Sequence, residues 1–306
     1  MNRRRGTCRV VAAAFAVGIL LLACGCRRKP PPKTKAPNAK PATAPASGPA
    51  AQPATGAAGP ALSLPAKPKP GEAIVNSAGM KLIYIPPGEF DMGSKPDEPG
   101  RHDDETLHRV TITRGFWIGA TEVTQAQWEK VTGYNPGQPK GPDLPANRLS
   151  WSDAVAFCRK LSRTEGVHYA LPTEAQWEYA CRAGSGDVFS GGKADDVAWH
   201  MDSSGEAPHP VAAKLPNAWG LYDMHGNAAE WCRDVYRRDL GAAPATDPDY
   251  AAEGPGARVV RGGSWAHFPR ACRGAARASY NPAYQLDSVG LRVVIEPGPP
   301  ESSANP

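Results

Sequence analysis

Apolar and polar residues alternate along two segments in the first half of the folded region, and this period of two predicts β-strands. Met80–Phe90 alternates up to a Pro-Pro-Gly turn, so it predicts a strand that enters a hairpin. Val110–Ile118 predicts a second strand region. Two runs near the end of the chain, Val259–Trp265 and Ser288–Ile295, predict closing strands.

Three short helices are predicted by a Ser or Thr cap that is followed, three residues later, by a polar partner for a capping box. The pairs are Thr124 with Gln127, Ser150 with Asp153, and Thr173 with Gln176. The second helix carries apolar residues at i, i+3, i+4 and i+7, namely Ala154, Phe157, Cys158 and Leu161. Long Pro- and Gly-rich loops separate these elements. The pattern therefore predicts an α+β fold with short helices, small antiparallel sheets and much irregular structure.

The charge of the chain is divided between two regions. All 30 acidic residues lie at Glu72 or later, whereas 12 of the 35 basic residues precede it, so the segment from Glu72 onward has 23 basic residues and a net charge of −7. The basic average of the whole chain is therefore no sign of nucleic-acid binding, and we expect no nucleic-acid partner. All eight Trp residues follow position 100, which places the core in the acidic region.

The first residues have the pattern of an export signal. Four arginines precede the apolar run Val10–Ala23, which is too short to span a bilayer. Leu21, Leu22 and Ala23 before Cys24 resemble a bacterial lipobox, so residues 1–23 are predicted to be a lipoprotein signal peptide and Cys24 the lipidated, membrane-anchoring residue. Gly25 after Cys24 favours the outer membrane, facing the periplasm. The alternatives are lipidation at Cys26 and an ordinary secretory signal.

A linker and a tail flank the predicted domain. Residues 24–72 are rich in Pro, Ala and Lys and are predicted to be disordered, because such a segment buries too little apolar surface to offset its ordering entropy. Residues 73–296 form the predicted domain, and residues 297–306 a disordered tail.

The stretch Asn217–Asp234 combines three aromatic residues, turn residues and two carboxylates, Asp223 and Glu230, seven positions apart. Carboxylates and backbone carbonyls are the ligands that hard cations prefer, so this stretch predicts a rigid loop around an ion. The alternative is that the two carboxylates cap turns. A second acidic run, His102, Asp103, Asp104 and Glu105, is predicted to be a solvated loop, with a metal cluster as the alternative.

Six segments occur in the order and approximate spacing of the sulfatase-modifying-factor, or formylglycine-generating-enzyme, family. They are EVTQAQW (122–128), SWSDAVAFC (150–158), LPTEAQWEYACRAG (171–184), NAWGLYDMHGNAAEW (217–231), RGGSW (261–265) and VGLRV (289–293). The chain resembles this family over about residues 73–296. The resemblance implies a C-type-lectin-like fold stabilised by calcium and, in the founding enzymes, the oxidation of a protein cysteine to formylglycine with O2 and copper.

The resemblance also implies site residues. It assigns calcium to Asp223, to the carbonyls of Gly226 and Ala228, and to Glu230, with a second calcium site near Asp195–Asp202 whose ligands are not evident.

The family's two copper cysteines follow RGGS, and here the corresponding positions are His267 and Cys272. One cysteine of the pair is therefore absent. A single thiolate binds Cu(I) less well than two. Cys272 is either part of an altered copper site with His267 or a structural cysteine. In the second case the family pattern implies a disulfide between Cys181 and Cys272, and Cys158 is left to pair with Cys232; sequence does not choose among the three connectivities.

Two functions remain open. One is an O2-dependent oxidoreductase that acts on a thiol of a protein or peptide, with Cys272 and His267 at the site. The other is a catalytically silent module of the same fold that binds a protein or glycan. The sequence contains no HExxH, GxSxG or phosphate-loop motif, and it does not indicate an oligomeric state.

Overall fold

The computed structural model describes residues 61–251 and 254–296. The predicted signal peptide, Cys24, Cys26, most of the linker and the tail lie outside the described residues. Within those ranges, no helix is both long and apolar enough to cross a membrane.

Residues that precede the predicted domain boundary at residue 73 also contact the domain. The backbone N–H of Leu62 donates to the carbonyl of Glu165 at 2.8 Å, and Leu62 and Leu64 pack against the apolar core. The N–H of Gly71 donates to the carbonyl of Tyr84. Because these two leucines supply apolar surface that the Pro/Ala/Lys pattern lacks, the end of the predicted linker is part of the packed domain.

The three predicted helices are confirmed, each with a complete capping box. They are α1 (Gln125–Thr132), α2 (Trp151–Glu165) and α3 (Glu174–Arg182), which are followed by the single-turn α4 (Ala194–Val197) and by a 3-10 turn at Pro269–Cys272. The apolar stripe predicted for α2 is buried. Local sequence was sufficient to place these helices, because the cap residue and its capping-box partner are only three residues apart.

Within residues 61–251 and 254–296, twelve short strands form three sheets. They are β1 (Ala73–Val75), β2 (Lys81–Ile85), β3 (Gly88–Met92), β4 (His108–Ile112), β5 (Phe116–Gly119), β6 (Tyr169–Ala170), β7 (Ala229–Val235), β8 (Ala245–Thr246), β9 (Arg258–Arg261), β10 (Arg277–Tyr280), β11 (Val289–Gly290) and β12 (Val294–Ile295). The sheet orders are β1-β2-β5-β12-β6, β10-β9-β7-β11 and β3-β4-β8.

One prediction about the strands is wrong. The run Met80–Phe90 does not enter a hairpin, because β2 pairs with β1 and β5, whereas β3 pairs with β4 in another sheet. The predicted strand region Val110–Ile118 is confirmed, but it contains two strands, β4 and β5, that also belong to different sheets. In both cases the chain crosses between sheets at a short turn, and alternation of residues carries no information about a strand's partner.

The five-stranded sheet is buried on both faces. Leu82 of β2 packs into one apolar cluster with Trp128 of α1 and Phe157 of α2, whose rings stack at a centroid distance of 4.9 Å. The next residue, Ile83, points into a second cluster that contains Trp177 of α3. The sheet therefore separates two cores, one beneath α1 and α2 and one beneath α3.

The four-stranded sheet positions the candidate site. Strand β7 pairs antiparallel with β9, which places Glu230 opposite Arg261, and pairs parallel with β11, which places Glu230 beside Gly290. The stretch Asn217–Asp234, predicted as a loop throughout, is therefore a turn up to Ala228 and a strand from Ala229.

Candidate functional site

The turn before β7 is fixed by the side chain of Asn217. Its amide nitrogen donates to the carbonyls of Ala180 and Cys181 at the end of α3, and its amide oxygen accepts the N–H groups of Trp219 and Leu221. These four bonds tie the turn to the helix.

The second half of the turn has a left-handed backbone at Asp223, Gly226 and Asn227. At Gly226 only glycine fits, since φ is 103° and a Cβ would lie 2.2 Å from the carbonyl oxygen of Trp199. The turn thus approaches the Trp199 backbone too closely for any side chain at that position.

Three carboxylates, Glu122, Asp223 and Glu230, are buried at this turn with one guanidinium, that of Arg292. Arg292 donates from Nε to both oxygens of Glu230 at 3.0 Å and from a terminal nitrogen to one of them at 2.7 Å. Trp177 also donates its indole N–H to Glu230 at 2.7 Å. Arg292 therefore pairs with Glu230, and among the described residues Glu122 and Asp223 form no ion pair of their own.

Glu122 and Asp223 each hold one oxygen that is buried without a hydrogen-bond partner, Oε2 and Oδ1 respectively. Their other oxygens accept backbone N–H groups, from Ala228 to Glu122 and from Ala212 to Asp223. Burial, and next the charge of Asp223, raise the pKa of Glu122 well above its usual range, and burial raises the pKa of Asp223. A hydrogen bond from the Glu122 carboxyl lowers the pKa of Asp223, so the two unpaired oxygens are satisfied either by a proton that the pair shares or by a hard divalent cation.

The calcium prediction named Asp223, Gly226, Ala228 and Glu230, and it did not include Glu122. In the structure both carboxylate oxygens of Glu230 accept hydrogen bonds from Arg292. The side chains that have an oxygen available for a cation are therefore those of Asp223 and Glu122. Across the described ranges, no group of three or more His, Cys, Asp or Glu side chains has the arrangement of a metal cluster, so backbone carbonyls have to complete any such site. The assignment of calcium itself stays a prediction.

The region predicted to hold a second calcium, Asp195–Asp202, is engaged in protein contacts. Asp195 accepts from Nε2 of His200 at 2.9 Å, and its backbone carbonyl contacts the ammonium of Lys214. Asp196 accepts the N–H of Lys193 at the start of α4. These contacts leave no evident ligand set there.

The run His102–Glu105 is only partly the solvated loop that was predicted. Glu105 is buried and forms a double ion pair with Arg273. Asp104 accepts from the hydroxyl of Tyr236 at 2.7 Å. The burial of Glu105 was not predicted because its ion-pair partner, Arg273, is far away in sequence, and no local pattern indicates such a pair.

The segment after RGGSW borders a cavity of about 100 Å³. Its wall is formed by His102, Ala229, Val260, Gly263, His267, Ala271, Ala276, Arg277, Ala278 and Tyr280. His267 is on this wall and Cys272 is not. The walls are mainly apolar, and the volume is small beside the 300 to 1,000 Å³ or so of typical cofactor and ligand pockets.

Cys272 does not have the environment of a copper ligand. It has no exposed surface, and its thiol faces the carbonyls of Phe268 at 3.9 Å and Ser264 at 4.0 Å. Burial raises the pKa of the Cys272 thiol to about 12, whereas Cu(I) binds a thiolate. His267, the other predicted member of the pair, is bonded to Ser264 through Nδ1. The donor set present does not fit the copper site that the resemblance implied.

The predicted disulfides are wrong. Among the described residues all four cysteines, Cys158, Cys181, Cys232 and Cys272, are free and buried. Cys158 and Cys232 pack in different cores, on opposite sides of the five-stranded sheet.

Cys181 and Cys272 are kept apart by the imidazole of His225. Nε2 of His225 lies 3.7 Å from the Cys181 thiol, and Nδ1 donates to the backbone carbonyl of Cys272 at 2.8 Å. The residue that faces the Cys181 thiol is Gly274, where a Cβ would lie 3.6 Å from the sulfur.

We therefore expect Gly274→Cys to form a disulfide with Cys181. The bond would close a loop of roughly 90 residues and stabilise the domain by about 2 kcal/mol, the low end of the usual range because engineered disulfides seldom reach their full effect. The measurement is the melting temperature with and without reductant, beside a thiol count. Gly274→Ala, whose added methyl meets only ordinary contacts, is the control. If the oxidised Gly274→Cys variant had as many free thiols as the reduced variant, the expected disulfide would be contradicted.

His225 makes stability depend on pH. Burial lowers its pKa to about 4, from an ordinary value near 6.5. Because the unfolded chain takes up the proton first, stability is complete above about pH 6.5 and is lost as pH falls toward 4, by about 3 kcal/mol. Asp234, whose pKa burial raises to about 7, opposes this trend in the same window. As pH falls from 7 to 4, we expect urea titrations to show the unchanged protein losing about 3 kcal/mol of stability relative to His225→Gln. Equal changes in the two proteins would show that His225 is not the titrating group.

The comparisons with known proteins agree with this architecture. Residues 67–297 match the model of the sulfatase-modifying factor enzyme 1-like domain. The formylglycine-generating enzymes of Bos taurus and Streptomyces coelicolor are both 28% identical to this chain; the alignments cover 71% and 74% of this chain and 75% and 93% of those enzymes. A protein of Paenibacillus barcinonensis named chaperone protein LppX is 29% identical over 60% of this chain and 81% of its own length.

Among solved structures, PvdO from Pseudomonas aeruginosa superposes with a TM-score of 0.69 at 30% identity, covering 75% of this chain and all of PvdO. Treponema denticola variable protein 1 superposes with a TM-score of 0.66 at 27% identity, covering 74% and 99%. The fold is thus the loop-rich, C-type-lectin-like α+β fold that the motifs implied. The chain belongs to the family of sulfatase-modifying factor enzyme 1-like proteins.

Proposed function

We propose that this chain is an exported, lipid-anchored binding member of its family, which holds a peptide segment of a partner protein and does not oxidise a cysteine with copper. The observation that carries the proposal is the environment of Cys272. Its thiol is sealed behind the cavity wall, faces two backbone carbonyls and is protonated at neutral pH. A site without an accessible thiolate is poorly suited to Cu(I) and O2 chemistry.

The cavity supports a peptide as the ligand. Its small volume and apolar walls suit one amino-acid side chain better than an organic cofactor or a sugar ring. Two residues with exposed apolar side chains adjoin His267 through the backbone: Phe268 follows it in sequence, and the N–H of Met201 donates to its carbonyl. Aromatic and Met side chains of this kind are enriched where proteins bind other proteins.

The leader supports presentation at a membrane. Lipidation at Cys24 and the Pro-rich linker would hold the domain away from the outer membrane, in the periplasm. The Paenibacillus relative is named chaperone protein LppX, a name for a protein that acts on other proteins, which is consistent with a binding role.

The catalytic question is tested with a peptide that carries the cysteine motif of a sulfatase. The domain is loaded with Cu(I), incubated with the peptide and O2, and the product is examined by mass spectrometry for an aldehyde. We expect none. Aldehyde formation that is lost in Cys272→Ser would overturn the proposal and assign the chain to thiol oxidation, the activity named for the Bos taurus and Streptomyces coelicolor relatives.

The binding question is tested in cells with the full chain. Benzoylphenylalanine is placed at Phe268 and, as a matched control, at Val75, an exposed residue on the edge strand β1. We expect irradiation to give a discrete adduct only from position 268, and mass spectrometry to locate it on one peptide segment with an apolar side chain. Equal labelling from both positions would contradict a binding site at the cavity.

The anchor is tested separately. In the native chain we expect the protein in the membrane fraction and labelled by palmitate. Cys24→Ser should remove the label and release the protein; if Cys26→Ser does so instead, Cys26 is the lipidated residue.

A further inference from the structure

His267 is held at the cavity wall by its side chain and by its backbone. Ser264 Oγ lies 2.7 Å from Nδ1 of His267. The N–H of His267 donates to the carbonyl of Ser264 at 3.0 Å, and the carbonyl of His267 accepts the N–H of Met201 at 2.8 Å. These hydrogen bonds to Ser264 and Met201 therefore fix the orientation of the imidazole.

The same bonds determine the protonation of the ring. Ser264 Oγ accepts the N–H of Ala266 at 3.2 Å, and among the described residues Nδ1 of His267 is the only acceptor within hydrogen-bond distance of the buried Ser264 hydroxyl, so the hydroxyl hydrogen is donated to Nδ1. Nδ1 is then an acceptor, so the ring proton of the neutral imidazole resides on Nε2. No described residue accepts a hydrogen bond from Nε2, and this atom is not among the buried unpaired ones. His267 therefore offers a free N–H donor in a mainly apolar cavity.

Ser264 is a positioning residue and not a nucleophile. It has no exposed surface, so no substrate can reach its oxygen. A Ser–His pair at hydrogen-bond distance would otherwise resemble the start of a catalytic triad. Burial excludes that role and leaves the orientation of His267.

The charges on the rest of the cavity wall favour a neutral ligand over an anionic one. Arg277 is the only Lys or Arg among the lining residues, and both carboxylate oxygens of Glu174 accept from it, at 2.6 and 2.8 Å. A third nitrogen donates to the carbonyl of Asp104 at 2.7 Å. With the charge of Arg277 already paired, the wall has no cationic group to balance a buried carboxylate apart from the imidazoles of His102 and His267.

We infer that the cavity selects a peptide whose apolar side chain fills it and whose neutral backbone carbonyl accepts a hydrogen bond from Nε2 of His267, with Ser264 fixing the tautomer that donates. This rests on the proposed peptide-binding function and assigns its ligand class and specificity-determining residue.

The tautomer is tested first, without any ligand. In long-range proton–nitrogen spectra of the domain labelled at histidine, we expect His267, assigned by its disappearance in His267→Gln, to show a protonated Nε2 and an unprotonated Nδ1 at neutral pH. Ser264→Ala should give a mixture of tautomers, and Ser264→Thr, which keeps the hydroxyl, should retain one. The opposite tautomer in the unchanged protein would overturn the inference.

The ligand class is tested with N-acetyl-leucine methylamide, compared with N-acetyl-leucine, which ends in a carboxylate, and with capped lysine. We expect the first to shift the Nε2 proton of His267, and His267→Phe, which removes the donor, to weaken its binding about threefold to tenfold, the usual worth of one hydrogen bond. Stronger binding of the carboxylate, or no shift of Nε2 with any of the three, would overturn the ligand class. Photo-crosslinking at position 268 would still stand in that case, so the failure would not be that of the proposed function.

Discussion

Glu122→Gln is expected to stabilise the metal-free domain and, at the same time, to abolish its stabilisation by calcium. In the metal-free protein Glu122 is buried beside Asp223 with one oxygen unpaired. The raised pKa of Glu122 means that its ionised form costs folding energy at neutral pH, and a neutral amide removes that cost. The same amide is a weaker ligand, because it lacks the charge that a divalent cation requires.

The size of the calcium effect follows from mass action. A cation that binds only the folded state adds about 4 kcal/mol when its concentration is a thousandfold above its dissociation constant. In a domain of this length, each kcal/mol raises the melting temperature by about 2–4 °C. We therefore expect chelation of calcium from the unchanged protein to lower the melting temperature by about 10 °C.

The experiment is calorimetric unfolding in excess calcium and in chelator, for the unchanged domain, Glu122→Gln and Asp202→Asn. Asp202 lies in the region predicted for a second site, so its variant should keep the full calcium shift if only the Glu122–Asp223 cluster binds. A calcium shift that survives in Glu122→Gln would contradict the assignment of this residue as a ligand. No shift in the unchanged protein would contradict the calcium site altogether.

Sequence could predict what is decided locally. The three capped helices followed from signals a few residues long, and all three are present. The strands were placed less well, because β2 and β3 are neighbours in sequence but belong to different sheets. The partner of a strand depends on segments far along the chain, and alternation does not encode it.

The candidate site shows the same division. Asp223 was found because it lies in a dense local motif, whereas Glu122, about a hundred residues earlier, was missed as its partner. Glu105 was predicted to be solvated because the arginine that buries it, Arg273, is equally remote. His267 was identified only as a substitution within a copper pair. Its bond to Ser264 and its place on the cavity wall required the fold.

Arg261→Ala is expected to cost about 3–5 kcal/mol, the loss typical of breaking a buried ion pair from one side. Arg261 has essentially no exposed side chain and donates to the carboxylate of Glu178. It also donates to the carbonyls of Gly274 at 2.7 Å and Ala275 at 3.2 Å. Its removal would leave two buried carbonyls without this donor, and Glu178 with Arg182 as its remaining arginine partner.

The functional consequence follows from where those carbonyls lie. Gly274 and Ala275 directly precede Ala276, which lines the cavity beside His267. Loss of Arg261 should therefore loosen the cavity wall as well as the fold, and weaken crosslinking from position 268 even at temperatures where the variant remains folded. Arg109→Ala is the matched control, because Arg109 also contacts two carboxylates, those of Glu89 and Asp91, but at the exposed surface. Solvent screens such a pair, so unfolding by urea should change little. If the two arginine variants lost similar stability, the buried network would not be what holds this wall in place.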